Sequence, residues 1–186
     1  AIKEGFSVIC GEFYELTYNP GAPSERWLCG ENLPIGAIRS LQNPPAYGCP
    51  DKMTSTYYAC GTYWDDNGGV HTNSGIANKA AYLMVAGGTF NSQTVAPLGW
   101  SKVLTIYYEA QTNLLTSGAD YGDLYSVLYQ ACFNLIGQEG IAAGDCQEVR
   151  DATDAVAMNA QPASNPNFNT DAPLCGVNGV PQNVFF

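Results

Sequence analysis

Five stretches of the chain repeat apolar residues every three or four positions, the spacing that gathers them on one face of an α-helix. The first stretch opens the chain with Ile2, Phe6, Ile9 and Phe13. The other four stretches cover residues 76–84, 100–110, 124–135 and 149–156. We therefore predict a mainly α protein, built as a helical bundle of about five helices.

The first two helical stretches are separated by residues 19–69, which are dense in Gly, Pro, Asn and Asp. This composition predicts one long irregular loop with short extended pieces. Loops of this length are uncommon in compact domains unless they are functional, and disulfides would help to hold this one. After residue 159 the chain becomes polar and contains proline. We therefore predict a helical domain over 1–159 and an extra C-terminal tail over 160–186.

The first helix has no capping residue before it, because the chain starts with Ala1 and Ile2. The first four backbone amides of a helix need hydrogen-bond partners. We therefore expect that residues upstream of Ala1 were removed or belong to another chain.

The 186 residues carry a formal net charge of −10, and the seven Lys and Arg form no cluster. Nucleic acids and anionic membranes bind basic patches, so we predict neither as a partner. The longest apolar runs are far shorter than the roughly 18 residues that span a bilayer. Seven cysteines beside a single histidine fit disulfides better than zinc ligation. The cysteines therefore indicate an extracellular or periplasmic compartment, and we predict a secreted, extracellular protein.

The cysteine spacing predicts three disulfides and leaves Cys175 unpaired. The three predicted pairs are Cys49–Cys60, Cys132–Cys146 and Cys10–Cys29. The first two pairs close short local loops, and a loop of about 15 residues gives roughly 3 kcal/mol of stabilisation. The tail that carries Cys175 ends in two phenylalanines, which gain free energy when buried. We predict that this tail packs in a groove of its own domain or of a neighbouring copy.

Three segments of the chain carry recognisable motifs. Residues 66–76 (DNGGVHTNSGI), continued by 78–83 (NKAAYL), resemble a substrate-histidine loop and the helix that follows it. Residues 1–7 (AIKEGFS) resemble an Asn-Glu-x-x-Ser-Asp helix, and residues 38–48 resemble a loop that carries an active-site arginine. Together these segments resemble the C-terminal, mostly helical domain of the thermolysin family of secreted zinc metalloendopeptidases.

By this resemblance, Glu4 stands where the family has its third zinc ligand. His71 stands at the histidine that hydrogen-bonds the tetrahedral intermediate, and Asp66 matches the carboxylate that orients it. Arg39 matches the arginine that binds the substrate carbonyl. An oriented imidazole and a guanidinium would stabilise the charge that develops during attack on a peptide. The resemblance therefore implies half of a peptidase site.

The other half of that site is absent from the sequence. A zinc peptidase of this type takes two ligands and its general base from one HExxH helix, and His71 is the only histidine here. We therefore expect this isolated chain to be inactive, and to bind zinc only if the missing half is present.

Two positions near the implied zinc ligand depart from the family pattern. Val8 replaces an aspartate that holds a zinc-binding histidine, and Lys3 replaces an asparagine beside the ligand. Losing a supporting group of this kind usually costs about 10- to 100-fold in metal affinity or activity. Both changes indicate that the metal site has lost affinity for zinc.

The implied calcium sites also depart from the family pattern. Glu15 and Glu31 match acidic residues of the family, but Arg26 and Leu28 stand where the family has ligand carboxylates. Calcium takes six to eight oxygen ligands. We therefore predict a weak calcium site at most.

The chain fits two functional hypotheses. In the first it is the C-terminal domain of a secreted zinc metalloendopeptidase, whose partner is the missing N-terminal half and whose substrate is a peptide or protein. In the second it is a degenerate, non-catalytic extracellular module, a pseudoenzyme that acts in binding or in self-assembly with copies of itself. Glu4 then only suits its helix dipole, Asp66 and His71 are an idle pair, and Arg39 ties the loop to carboxylates.

Overall fold

The computed structural model describes residues 1–18, 21–59 and 66–162. Within these ranges the chain forms five helices of ten or more residues and one four-residue helical turn. They are α1 (Ile2–Tyr18), α2 (Asp66–Gly69), α3 (Gly75–Ala86), α4 (Trp100–Glu109), α5 (Tyr121–Asn134) and α6 (Ala143–Ala155). The predicted mainly α fold is therefore confirmed. No helix in the described ranges is both long and apolar enough to cross a membrane.

Short strands and tight helical segments connect these helices. Two antiparallel pairs are formed, β1 with β2 and β3 with β4. The strands are β1 (Leu28–Cys29), β2 (Arg39–Ser40), β3 (Gly88–Phe90) and β4 (Gln93–Val95), with 3-10 segments at Pro44–Tyr47 and Thr72–Ser74 and a π-helical segment at Ala110–Leu114. The first strand pair and the first 3-10 segment lie in the predicted long loop, which therefore contains short extended pieces.

The strand pair β1–β2 holds the implied substrate arginine. Cys29 lies opposite Arg39 in its register, and the Leu41 N–H donates a hydrogen bond to the Trp27 carbonyl at 2.8 Å. We call residues 27–41 the Arg39 hairpin. Its strands are only two residues long, so its own ladder contributes little to its stability.

Helix α3 lies at the centre of the bundle and contacts α1, α4 and α6. Six of its apolar side chains are at most 2% exposed: Ile76, Ala77, Ala80, Ala81, Leu83 and Met84. Helix α1 approaches it closely because Gly5 has no side chain. A Cβ added at Gly5 would lie 2.9 Å from the Ala77 Cβ, which is too close for two carbon atoms. This close approach brings the start of α1 to the segment that precedes α3.

One of the three predicted disulfides is confirmed. Cys132 and Cys146 are joined across the connection between α5 and α6, with their Cα atoms 5.5 Å apart. The predicted pairs Cys49–Cys60 and Cys10–Cys29 are wrong, because Cys10, Cys29 and Cys49 are free thiols. Cys60 and Cys175 lie outside the described residues.

Helix geometry explains why Cys10 and Cys29 remain apart. Helix α1 turns Glu12 toward the Arg39 hairpin, where its carboxylate accepts a hydrogen bond from the Trp27 N–H at 2.6 Å. Cys10 precedes Glu12 by two residues, or about 200° around the helix, and is exposed to solvent. Cys49 is buried, and its thiol contacts the Tyr47 carbonyl.

Candidate functional site

A left-handed turn shapes the segment that carries the implied catalytic pair. All four residues of α2 have positive φ angles: 52° and 48° at Asp66 and Asn67, and 81° and 78° at Gly68 and Gly69. Only glycine adopts this conformation freely. A Cβ at Gly69 would also lie 2.7 Å from the Asn73 Nδ2 atom. The turn reverses the chain and returns the Asp66 carboxylate over the residues that follow it.

The Asp66 carboxylate binds both His71 and Thr72. Its Oδ1 lies 2.5 Å from His71 Nδ1. Its Oδ2 accepts hydrogen bonds from the His71 N–H at 3.0 Å, the Thr72 N–H at 2.8 Å and the Thr72 hydroxyl at 3.0 Å. Partial burial raises the pKa of Asp66, but these hydrogen bonds outweigh it and hold the pKa below its ordinary value. Asp66 therefore stays ionised at neutral pH, and the donor at His71 Nδ1 faces it.

A second carboxylate lies on the other side of the same imidazole. Glu4, in the first turn of α1, has its Oε2 3.4 Å from His71 Nε2. The two side chains are 35% and 48% exposed, so both are open to a further group. The structure therefore places Glu4 and Asp66 at the two nitrogens of the His71 ring.

Asn73 ties the segment that carries His71 to the chain at Ala59. Its side-chain oxygen accepts from the Ala59 N–H and its amide nitrogen donates to the Ala59 carbonyl, both at 2.8 Å. The Tyr121 hydroxyl donates to the Asn73 carbonyl at 2.7 Å. Sequence reasoning missed Asn73 and Tyr121 as supports, because their partners are distant in the chain. The Tyr121 contact thereby fixes the segment that carries His71 to α5.

Cys49 lies near both Arg39 and the carboxylate that holds the His71 ring. Burial raises the pKa of the Cys49 thiol, the Arg39 guanidinium opposes that rise, and the Asp66 carboxylate adds to it. Cys49 is therefore within electrostatic reach of both Arg39 and Asp66. In the described part of the chain Arg39 forms no salt bridge.

Comparison with known proteins identifies the family of this chain. The sequence model of the thermolysin metallopeptidase alpha-helical domain matches residues 1–158. The chain belongs to this family. It is 37% identical over 166 residues to a zinc metalloproteinase of Renibacterium salmoninarum, and 36% identical over 163 residues to a bacillolysin of Brevibacillus brevis. It is also 38% identical over 163 residues to an extracellular elastase of Staphylococcus epidermidis.

These alignments cover 85% of this chain but only 30%, 28% and 27% of the three relatives. The chain therefore spans less than a third of the relatives that it matches. The family match ends at residue 158. The division into a domain at 1–159 and a tail at 160–186 stays a prediction, and residues 163–186 lie outside the described ranges.

The residues present do not complete a thermolysin-type zinc site by themselves. A catalytic zinc takes three protein ligands, and Glu4 with His71 would offer two at most. Among the described residues no group of three or more His, Cys, Asp or Glu is arranged to hold a metal ion. Val8 packs against the hydrophobic core, which leaves no carboxylate there to support a histidine ligand.

The implied calcium residues Glu15 and Glu31 lie close enough to influence each other electrostatically. Burial raises the pKa of Glu15, and Glu31 and Glu25 raise it further. Carboxylate oxygens suit calcium, yet in the described ranges these residues form no arranged group of three ligands. The weak calcium site stays a prediction.

Glu12 is a buried acid that sequence reasoning did not single out. It is 5% exposed on α1. Burial raises its pKa to about 7 against the hydrogen bond from Trp27, and the nearby carboxylates of Glu15 and Glu31 add to the rise. Its ionisation in the folded protein therefore costs free energy at neutral pH.

We expect Glu12→Gln to remove most of the loss of stability between pH 4 and pH 8. The folded-state pKa is raised, so folded Glu12 still holds a proton that the unfolded chain has lost above about pH 4.3. The free energy of unfolding should fall as the pH rises through this window to about 7. A glutamine side chain can accept the hydrogen bond from the Trp27 N–H without ionising. The free energy of unfolding of the variant at pH 8 should therefore exceed that of the unchanged chain by on the order of 2 kcal/mol.

Urea unfolding at pH 4 and pH 8 measures this effect. Glu139→Gln removes an exposed carboxylate and serves as the control, with a pH dependence close to that of the unchanged chain. If Glu12→Gln loses stability with pH as steeply as the unchanged chain, Glu12 is not the group that titrates.

Proposed function

We propose that the chain is the C-terminal, helical half of a secreted zinc metalloendopeptidase and that it is inactive alone. Glu4 would be the one zinc ligand that this half supplies. His71, Asp66 and Arg39 would form the substrate side of the site. The observation that carries the proposal is the position of the His71 ring, with Asp66 2.5 Å from Nδ1 and Glu4 3.4 Å from Nε2.

Each residue has a definite task in this proposal. Ionised Asp66 orients the His71 ring and leaves Nε2 as the nitrogen that faces a substrate. A protonated His71 would donate from Nε2 to the substrate oxygen that becomes negative during attack on the peptide carbonyl. Arg39 would bind the same region of the substrate through its planar guanidinium. This chain would therefore stabilise the transition state, and the HExxH half would supply the nucleophile and the other ligands.

The partner in this proposal is an N-terminal half with two zinc-binding histidines. Extracellular localisation is part of the same proposal. It is supported by the Cys132–Cys146 disulfide, since such bonds persist in oxidising compartments. The name of the Staphylococcus epidermidis relative, extracellular elastase, also agrees with it.

A second candidate function is a non-catalytic extracellular module that binds a partner or assembles with copies of itself. The packing of Val8 against the core favours it, because no supporting acid remains at that position. Lys3 is exposed beside Glu4, and a cation there opposes the binding of a metal cation. Both candidates use the same fold and differ in whether an HExxH half exists.

The gene sequence upstream of the codon for Ala1, read with the intact mass of the purified protein, separates the two candidates. We expect the reading frame to continue upstream and to encode an HExxH segment. A gene in which an export signal joins directly to Ala1, with no HExxH segment, would instead favour the non-catalytic module.

A further inference from the structure

Lys79 of α3 holds an unusual position for a cation. Its Nζ atom donates to the Gln42 carbonyl at 2.7 Å and lies 4.9 Å from the centre of the Tyr82 ring and 4.8 Å from that of Phe90. Burial lowers the pKa of Lys79, and Asp51 only partly opposes this. No salt bridge of Lys79 is found in the described residues. Two ring faces and one backbone carbonyl therefore hold this half-buried ammonium.

The carbonyl that Lys79 binds belongs to the residue that follows the Arg39 hairpin. The Gln42 side chain also contacts α3, because its Nε2 donates to the Tyr82 hydroxyl at 3.1 Å. Leu41, between Gln42 and the strand that carries Arg39, is fully buried. The end of the hairpin is thus held to α3 by Lys79 and Tyr82 together.

The start of the hairpin is held to the same place. The Trp27 ring packs edge-on against the Tyr82 ring, with centroids 5.1 Å apart. Trp27 also has a φ angle of 69°, a left-handed conformation that is unfavourable for a non-glycine residue. Both ends of the Arg39 hairpin therefore meet at Tyr82, the ring over which the Lys79 ammonium lies.

The rest of the hairpin cannot fix its own position. Its tip is open to solvent, with Leu33 45% and Ile35 81% exposed. Its ladder consists of two residue pairs. The contacts at its base must therefore decide where the Arg39 guanidinium lies relative to His71, which sits on the segment leading into α3.

We propose that Lys79 is a positioning residue for Arg39, which ties the base of the Arg39 hairpin to α3 and so fixes the arginine relative to the His71 ring. The consequence for catalysis rests on the proposed function. The attachment of the hairpin base to α3 by Lys79 does not depend on the proposed function, and it can be tested in this chain alone.

The test is hydrogen exchange, measured by mass spectrometry on the full chain, with Lys79→Met and a matched control. Lys79→Met keeps the length and the apolar stem but loses the ammonium. Lys102→Met removes the same charge elsewhere, where Lys102 binds Asp145 at 2.6 Å between α4 and α6. In Lys79→Met we expect peptides over residues 27–42 to exchange roughly tenfold faster or more, while peptides of α5 and α6 stay protected.

The control should show the opposite pattern, with the hairpin unchanged and the start of α6 faster. Lys79→Arg keeps a charged donor and should keep the hairpin protected. If Lys79→Met fails to fold, Tyr82→Phe keeps the ring under Lys79 but loses the Gln42 contact, and should still speed exchange near residue 42. Unchanged hairpin exchange, or a uniform acceleration over the whole chain, would overturn the proposal.

A double-mutant cycle adds the functional readout once an HExxH half is joined. If Lys79 acts through Arg39, Lys79→Met should lower kcat/KM in the presence of Arg39 and add little to the loss in Arg39→Lys. Additive losses would show that Lys79 does not act through Arg39. If the HExxH half does not exist, the proposed function fails, and the exchange experiment alone decides the tie.

Discussion

In a protein in which an HExxH half precedes Ala1, His71→Ala is expected to lower kcat about 100- to 1,000-fold and to leave KM nearly unchanged. The reason is that the ring would donate from Nε2 to an oxygen that becomes negative only during the reaction. Such a contact stabilises the transition state more than the bound substrate. The Asp66 carboxylate at 2.5 Å from Nδ1 holds the ring ready before the substrate arrives.

Two further variants make this expectation specific to the ring. Thr72→Val removes one hydroxyl contact to Asp66 and leaves the His71 contacts in place, so its kcat should change little. Asp66→Asn keeps the size of the side chain but loses the charge that fixes the ring, and should approach the loss of His71→Ala. Turnover that survives His71→Ala would remove this histidine from the mechanism.

The helices could be predicted from the sequence because apolar spacing encodes which side of each helix is buried. Helix α3 is buried more completely than its spacing predicted, because the stripe at Ile76, Ala80, Leu83 and Met84 is part of a helix buried on nearly every side. Gly5 packs against the small side chain of Ala77. The spacing of large apolar residues could not indicate this contact. Lys79 was likewise not singled out, because its partners come from the long loop.

The candidate site divides in the same way between local and distant contacts. Asp66 and His71 are five residues apart across a glycine-rich turn, so their contact could be anticipated from the sequence. The contact of Glu4 with His71 joins the first turn of α1 to the turn that follows α2, and only the resemblance to a known family suggested it. The close packing of Gly5 on Ala77 is its physical cause.

The disulfide predictions show the limit of counting residues along the chain. Cys132 and Cys146 close a short connection between two adjacent helices, so proximity in sequence gave proximity in space. Cys10 and Cys29 also belong to neighbouring elements, but Cys10 points to solvent while Glu12 faces the hairpin. Spacing cannot show which side of α1 meets the loop, and the buried Glu12 at that contact could not be predicted for the same reason.

Zinc binding is expected to depend on Glu4 and on a second half of the protein. With the HExxH half joined, Glu4→Gln should weaken zinc binding by more than the roughly 100-fold upper range for losing a supporting residue, because it removes a ligand itself. Glu139→Gln, an exposed acid far along the chain, is the matched control and should bind zinc normally.

Zinc content per molecule, measured by elemental analysis after dialysis, tests the central claim most directly. The proposed function predicts no stoichiometric zinc on the chain alone, one zinc per molecule when the HExxH half is joined, and loss of that zinc in Glu4→Gln. One tightly bound zinc on the isolated chain, released by Glu4→Gln or His71→Ala, would contradict it.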